Sequence, residues 1–189
     1  MINSPQSNLV NQYLLATPNI RDPLFASSVV YMCEHSAEGS MGMVINHLSD
    51  ENLGNIFNQL EITCEDSRIT SKPVYIGGPV KLQQGFVLHT ATNDWDKSIE
   101  IDDHIYLTSS RDILESIAND EGPEQYLVLL GFSGWSAGQL EQELQSNSWL
   151  TAQSSLDITF DKDIDLKWQH AFDTLGFNLD KLSPTAGNA

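Results

Sequence analysis

Cys33 and His35 place a thiol and an imidazole two positions apart, in the run Tyr31-Met32-Cys33-Glu34-His35. The run closes an apolar, β-branched stretch that reads as a strand. Strand side chains alternate, so Cys33 and His35 are expected on one face and Glu34 on the other. A thiolate beside an imidazole can begin a metal half-site or an activated nucleophile. The plainer reading is preferred: Cys33 as a small core hydrophobe and His35 as a turn residue at the strand end. Two ligands do not make a zinc site and no second close pair follows, so neither a structural metal nor a cofactor is expected. The other histidines, His47, His89, His104 and His170, fall into no HxH, HxxxH or HExxH spacing and read as satisfied or solvated residues.

Two glycine-bearing segments are the remaining candidates. Gly77-Gly78-Pro79 follows a short strand, Val74–Ile76; its glycines permit positive φ or close backbone approach, and the proline fixes the exit direction. A ligand could lie on its amides, although a plain sharp turn explains it as well and is preferred. From Gly131 through Phe132, Ser133, Gly134, Trp135, Ser136, Ala137 and Gly138 to Gln139 and Glu141, the chain reads as a strand end, a glycine-rich turn and a helix N-terminus, where an anionic or carbonyl-bearing ligand would sit well. No Lys follows the glycines, so a nucleotide loop is unsupported, and Trp135 takes the last glycine's place, so the segment is not the G-x-S-x-G elbow. Three glycines at one junction suggest close approach, by a ligand or by another chain segment. Trp135 is suited to wall a pocket beside Gln139 and Glu141, and this turn is expected to share one cleft with the Cys33–His35 strand end and Gly77-Gly78-Pro79.

The elements that must hold these segments are mostly strands. Apolar runs at Gln12–Thr17, Ser28–Cys33, Gly42–Asn46, Val74–Ile76, Gly85–His89, Ile99–Ile101, Ile105–Thr108, Gln125–Leu130 and Leu156–Phe160 carry the strand signature. Four segments carry the helical period: one with Leu53, Ile56, Phe57 and Leu60, one with Ile113, Leu114, Ile117 and Ala118, one with Leu140 and Leu144 starting at a Ser136/Gln139 capping box, and one with Trp168, Ala171, Phe172 and Leu175 ending at Gly176. The early strands follow one another without helices between them, which predicts an α+β fold with a largely antiparallel, barrel-like sheet rather than a βαβ repeat. Residues 1–176 are expected to form one domain, with 177–189 a fraying tail.

The 26 acidic residues against 9 basic give a formal charge of −17 in 189 residues. Such a surface repels phosphate backbones and anionic lipid, so direct nucleic-acid and membrane binding are not expected. Two cysteines 31 positions apart without CxxC spacing fit a reducing compartment, and the N-terminus carries no basic, apolar leader; a cytoplasmic location is expected.

Taken together, Asp22-Pro-Leu-Phe25, Val30-Tyr-Met-Cys-Glu-His35, Gly42-Met-Val-Ile-Asn46, Gly77-Gly-Pro79, Gly85-Phe-Val-Leu-His89, Thr108-Ser-Ser-Arg-Asp112 and the stretch from Gly131 to Leu144 resemble the AlgH/YqgE family of bacterial proteins. The resemblance runs from about Tyr13 to Leu175. It implies a cytosolic α+β protein whose strands form a bifurcated sheet folded into a pseudo-barrel with about four helices, and a link to regulation, since one member is named for alginate synthesis. It implies no catalytic residues. The family positions Cys33, Glu34, His35, Asn46, Gly77, Gly78, Pro79, His89, Asp112, Gly131, Trp135, Gln139 and Glu141 are all present here, and with Ser133 and Gly134 they form the candidate binding cleft.

The expected function is binding of a small ligand or a protein partner, acting indirectly in regulation, rather than catalysis. The enzymatic alternative is a hydrolase or thiol-dependent activity using Cys33 with His35, or Ser133 with a distant histidine such as His170. A transcriptional effector of this charge would have to act through a basic partner.

Overall fold

One long strand organises the molecule. The computed structural model describes residues 8–90 and 94–176, so the expected tail at 177–189 lies outside the described residues. The described elements are β1 (Gln12–Ala16), β2 (Val29–Ser36), β3 (Gly39–Val44), β4 (Leu48–Asn52), α1 (Leu53–Gln59), α2 (Ser67–Thr70), β5 (Pro73–Ile76), β6 (Val80–Thr90), β7 (Ser98–Asp102), β8 (Ile105–Thr108), α3 (Arg111–Ala118), β9 (Tyr126–Ser136), α4 (Gln139–Gln145), β10 (Trp149–Gln153), a π-type turn (Asp157–Asp161) and α5 (Ile164–Asp173). The sheet runs β10-β1-β2-β3-β9-β6-β8-β7, antiparallel throughout. It forks at β9, where β5 lies parallel to residues 128–130 while β3 pairs with residues 133–136, and β4 adds to β5. The protein is therefore α+β, with a curled, forked sheet forming a half-barrel and helices packed on it.

The apolar residues sort by sheet face, as strand alternation requires. The concave face gathers Tyr13, Leu15, Tyr31, Met43, Leu88, Leu107 and Leu129, and α5 closes it with Ala171 and Phe172. The fork divides the outer face in two. On one branch α1 and α3 lay Leu53, Ile56, Phe57, Ile113 and Ile117 over Val74, Val87 and Val128, so their helical stripes are core as expected. On the other, α4 sets Leu140 against Leu14, Val30, Met32, Val44, Trp135 and Trp149. Among the described residues no helix is long and apolar enough to cross a membrane.

Three expectations are corrected. Leu156–Phe160 is not a strand: Thr159 N–H bonds back to Ser155 O at 3.0 Å and Lys162 N–H to Asp157 O at 2.9 Å, so local backbone bonds capture this β-branched run as a turn. The segment from Gly131 to Ser136 is not a turn but the second half of β9, kinked at Gly131 where φ is +68°. Consequently α4 starts at Gln139 after Gly138, and Ser136 is a strand residue rather than a helix cap; only the return contact forms, with Gln139 Oε1 accepting from Ser136 N–H at 3.0 Å. The short strands β4 and β10 carry too little apolar alternation to be read from sequence, and each is held by one neighbour only.

Candidate functional site

The fork explains the glycines. Gly77 N–H donates to Leu130 O at 2.9 Å, and Gly77 O accepts from Val44 N–H at 2.8 Å and from Ser133 Oγ at 3.1 Å, so this one residue ties the two branches to β9. A Cβ on Gly78 would stand 2.2 Å from Phe132 C, and one on Gly131 2.5 Å from Gly78 O. The close approach is therefore between two chain segments, with no room for a ligand between them. Ser133 is buried and its hydroxyl is spent on Gly77 O, which leaves no exposed oxygen for nucleophilic attack.

The expectation that Cys33 and His35 share a face is overturned by a β-bulge. The pairing of β2 with β3 shifts between Met32 and Glu34, so Cys33 is an extra residue and the alternation skips one step. Cys33 packs into the concave cluster with Tyr13, Tyr31 and Met43. His35 turns instead to β3 and α4: its Nδ1 lies 2.9 Å from Ser40 Oγ and its Nε2 3.8 Å from Glu141 Oε1. Burial, with Glu34 nearby, pushes the Cys33 thiol far above its ordinary range, the reverse of what an activated nucleophile needs. Glu34 itself is exposed.

On the outer face, beside α4, the structure assembles a constellation around Glu143. Its Oε2 accepts from the indole N–H groups of both Trp135 and Trp149, each at 2.8 Å, and its Oε1 accepts from Gln139 Nε2 at 3.0 Å. The two indoles meet edge to face at 6.1 Å, and Phe25 packs the same way on Trp149 at 5.9 Å. These groups line an open groove of about 430 Å³ whose rim includes Asp22, Pro79, Gly134 and Gln139. A smaller cavity of about 230 Å³ between α1, α3 and β6 is lined by none of the candidate residues.

The candidate positions thus divide. Pro79, Gly134, Trp135 and Gln139 meet at the groove; Gly77, Gly78, Gly131 and Ser133 build the fork behind it; His35 and Glu141 pair near α4; Cys33 faces the concave core. The others lie elsewhere. Asn46 clasps a loop, accepting from Val29 N–H and donating to Ser27 O, both at 2.8 Å. His89 is buried between Trp95 and Tyr106; its Nδ1 donates to Thr90 O at 2.9 Å, since a carbonyl only accepts, and its Nε2 accepts from the Thr108 hydroxyl at 2.7 Å. Burial lowers its basicity below that of an ordinary histidine. Asp112 sits in the first turn of α3. Burial alone would raise its carboxyl, but bonds from the Ser110 hydroxyl and from the N–H groups of Asp96 and Ile113 outweigh that and leave it below the usual range. Glu143, Trp149, Asp22 and Phe25 were missed as site residues. The available signal was Glu143 four positions after Gln139, on the same helix face, with two indoles nearby in sequence that each need an acceptor.

Comparison with known proteins agrees with this architecture. Residues 13–180 match a family model described as AlgH-like. A UPF0301 protein of Thioalkalivibrio sulfidiphilus is 45% identical over 183 residues, which is 97% of this chain and 98% of the relative. One from Vibrio parahaemolyticus is 43% identical over 186 residues, covering 96% and 100%. The solution structure of the AlgH protein from Pseudomonas aeruginosa matches with a TM-score of 0.81 at 38% identity, over 100% of both chains. A Corynebacterium diphtheriae protein shares the fold, with a TM-score of 0.60 at 23% identity over 78% of this chain and 76% of its own.

Proposed function

The chain belongs to the AlgH-like family of bacterial proteins, and from that premise we propose that it is a non-catalytic binding module whose groove between the Asp22–Phe25 loop and α4 takes a small ligand or a segment of a partner protein. One observation carries the reading: two buried tryptophans and a half-buried glutamate lock one another in place at the floor of a groove that opens to solvent. A site whose side chains are fixed before binding loses little conformational entropy when a ligand arrives. Against a covalent mechanism, the Cys33 thiol is buried with its ionisation suppressed, and the Ser133 hydroxyl is committed to a backbone carbonyl. The two free thiols support a reducing, cytoplasmic setting in which the module acts on regulation indirectly.

Two measurements test this. Thiol labelling of the native protein from pH 6 to pH 9 should leave Cys33 unmodified, with the half-buried Cys64 as internal control; rapid labelling of Cys33 near neutral pH would return the thiol chemistry to consideration. A photo-crosslinking residue placed at the exposed groove-rim position Arg21 should trap a defined adduct in living cells, read by intact mass. The same residue at Glu124, exposed in the loop that precedes β9, should not. Equal yields at both positions would refute the groove as the binding site.

A further inference from the structure

Glu143 is a half-buried carboxylate held by three neutral N–H donors, and among the described residues no cation lies within ion-pair distance of it. A carboxylate offers about four acceptor positions, so the three bonds leave one unfilled. On the rim, Arg21 and Asp22 both line the groove and offset each other's charge, which leaves Glu143 as the net charge of the site. Beside it stand the half-buried ring of Phe25 and the edge of Trp149, which is otherwise buried. A fixed anion with one open acceptor position beside aromatic faces is complementary to a compact cation that makes one strong hydrogen bond and spreads its remaining charge over a ring. An ammonium fits that description better than a guanidinium, which gains most from two parallel bonds to one carboxylate.

The chain's formal charge of −17 states what kind of molecule would carry that ammonium. Such a field draws basic proteins toward the surface and speeds their encounter. Resting on the groove as the binding site, we propose that it receives a lysine side chain from a basic segment of a partner protein, with the ammonium against Glu143 and the methylenes along Phe25 and the exposed edge of Trp149. Trp135 and Gln139 then act as positioning residues that hold the carboxylate in place.

The test uses the intact protein and an acetylated, amidated Ala-Ala-Lys-Ala-Ala peptide, with norleucine and arginine versions beside it. Binding is read from the indole N–H signals of Trp135 and Trp149 in nuclear magnetic resonance spectra. The lysine peptide should shift both signals and bind at least about tenfold more tightly than the norleucine peptide, with the arginine peptide in between. That preference should weaken with added salt and shrink to about twofold or less in Glu143→Gln. Should Glu143→Gln fail to fold, the lysine-to-norleucine ratio in the unaltered protein and its salt dependence decide alone. Equal binding of the lysine and norleucine peptides would overturn the inference while leaving the groove as a binding site. Indole signals unmoved by all three peptides would also overturn it, while the groove reading itself is decided separately by whether the crosslink yield at Arg21 exceeds that at Glu124.

Discussion

Gly78→Ala should be among the most damaging single substitutions in the chain, and the structure supplies the reason and the scale. The added Cβ would fall 2.2 Å from Phe132 C, 2.3 Å from Phe132 O and 2.4 Å from Ser133 N, all backbone atoms that no rotamer change can move aside. To reach ordinary van der Waals separation, the two segments must part by ~1 Å. That movement pulls on the three bonds at Gly77, to Leu130 O, Val44 N–H and Ser133 Oγ. Each buried group left unpaired costs about 1–3 kcal/mol, and an alanine at φ +155° adds backbone strain of about 1–3 kcal/mol. A loss of at least ~4 kcal/mol follows, which in a chain of this size lowers Tm by roughly 8–16 °C.

Two other glycines serve as controls within the same molecule. Gly138 has φ +75° but open space around its Cβ position, so Gly138→Ala should cost only the left-handed strain of about 1–2 kcal/mol. Gly85 has open space and no positive φ, so Gly85→Ala should be neutral or stabilise by a few tenths to about 1 kcal/mol through the unfolded chain. Thermal melts followed by circular dichroism should rank Gly78→Ala well below Gly138→Ala, and that below Gly85→Ala. A Gly78→Ala variant as stable as Gly138→Ala would show that the fork is looser than the close approach implies, and the account of the glycines would be wrong.

Glu143→Ala strands two buried indole N–H groups and should cost about 2–5 kcal/mol, whereas Glu143→Gln keeps an oxygen for both and should cost about 1 kcal/mol; urea unfolding followed by tryptophan fluorescence compares them. Burial keeps His89 neutral in the fold, with its folded pKa below the unfolded value of about 6.5, so its contribution is fully present above that pH and is lost as pH falls toward the folded pKa. Urea midpoints should accordingly decline from pH 6.5 to 5, with a shallower decline in His89→Gln, and equal slopes would show that His89 is not the group responsible. Duplex DNA should not bind at physiological salt more tightly than a Kd of ~10⁻⁶ M, and a tight complex weakening steeply with salt would contradict the charge argument.

Legibility from sequence followed the range of the interactions involved. The stripes of α1 and α3 and the runs at β1, β2, β5 and β8 were readable because a local period specifies them. The course of β9 was not, because Gly131 and Gly134 punctuate the chain locally as turn residues. The bonds that keep the segment extended come from β3, some ninety residues earlier in the chain. The bulge at Cys33 was invisible for a related reason: an extra residue in a strand leaves composition unchanged but reverses every later side chain, which sent His35 toward α4 and not into the concave core. Trp135 and Gln139 were legible as candidates, yet their common partner Glu143 was not. The i to i+4 spacing from Gln139 and two indoles needing an acceptor pointed toward it, but which acceptor they would share is set by how α4 packs on the sheet.

The fork and the groove are two consequences of one backbone event. At Gly131 the kink releases β9 from β5 and turns it onto β3, which carries Trp135 from the inner run of the sheet to the layer under α4. At Gly78 the returning segment crosses the same strand so closely that the next residue, Pro79, emerges on the groove rim. The glycines therefore act one step away from any ligand: they set where Trp135 and Pro79 stand, and those residues shape the groove. A fork variant that still folds should then disturb the Trp135 and Trp149 indole signals although it touches neither ring. Unchanged indole signals in a folded but destabilised Gly131→Ala protein would separate the two features and confine the glycines to stability alone.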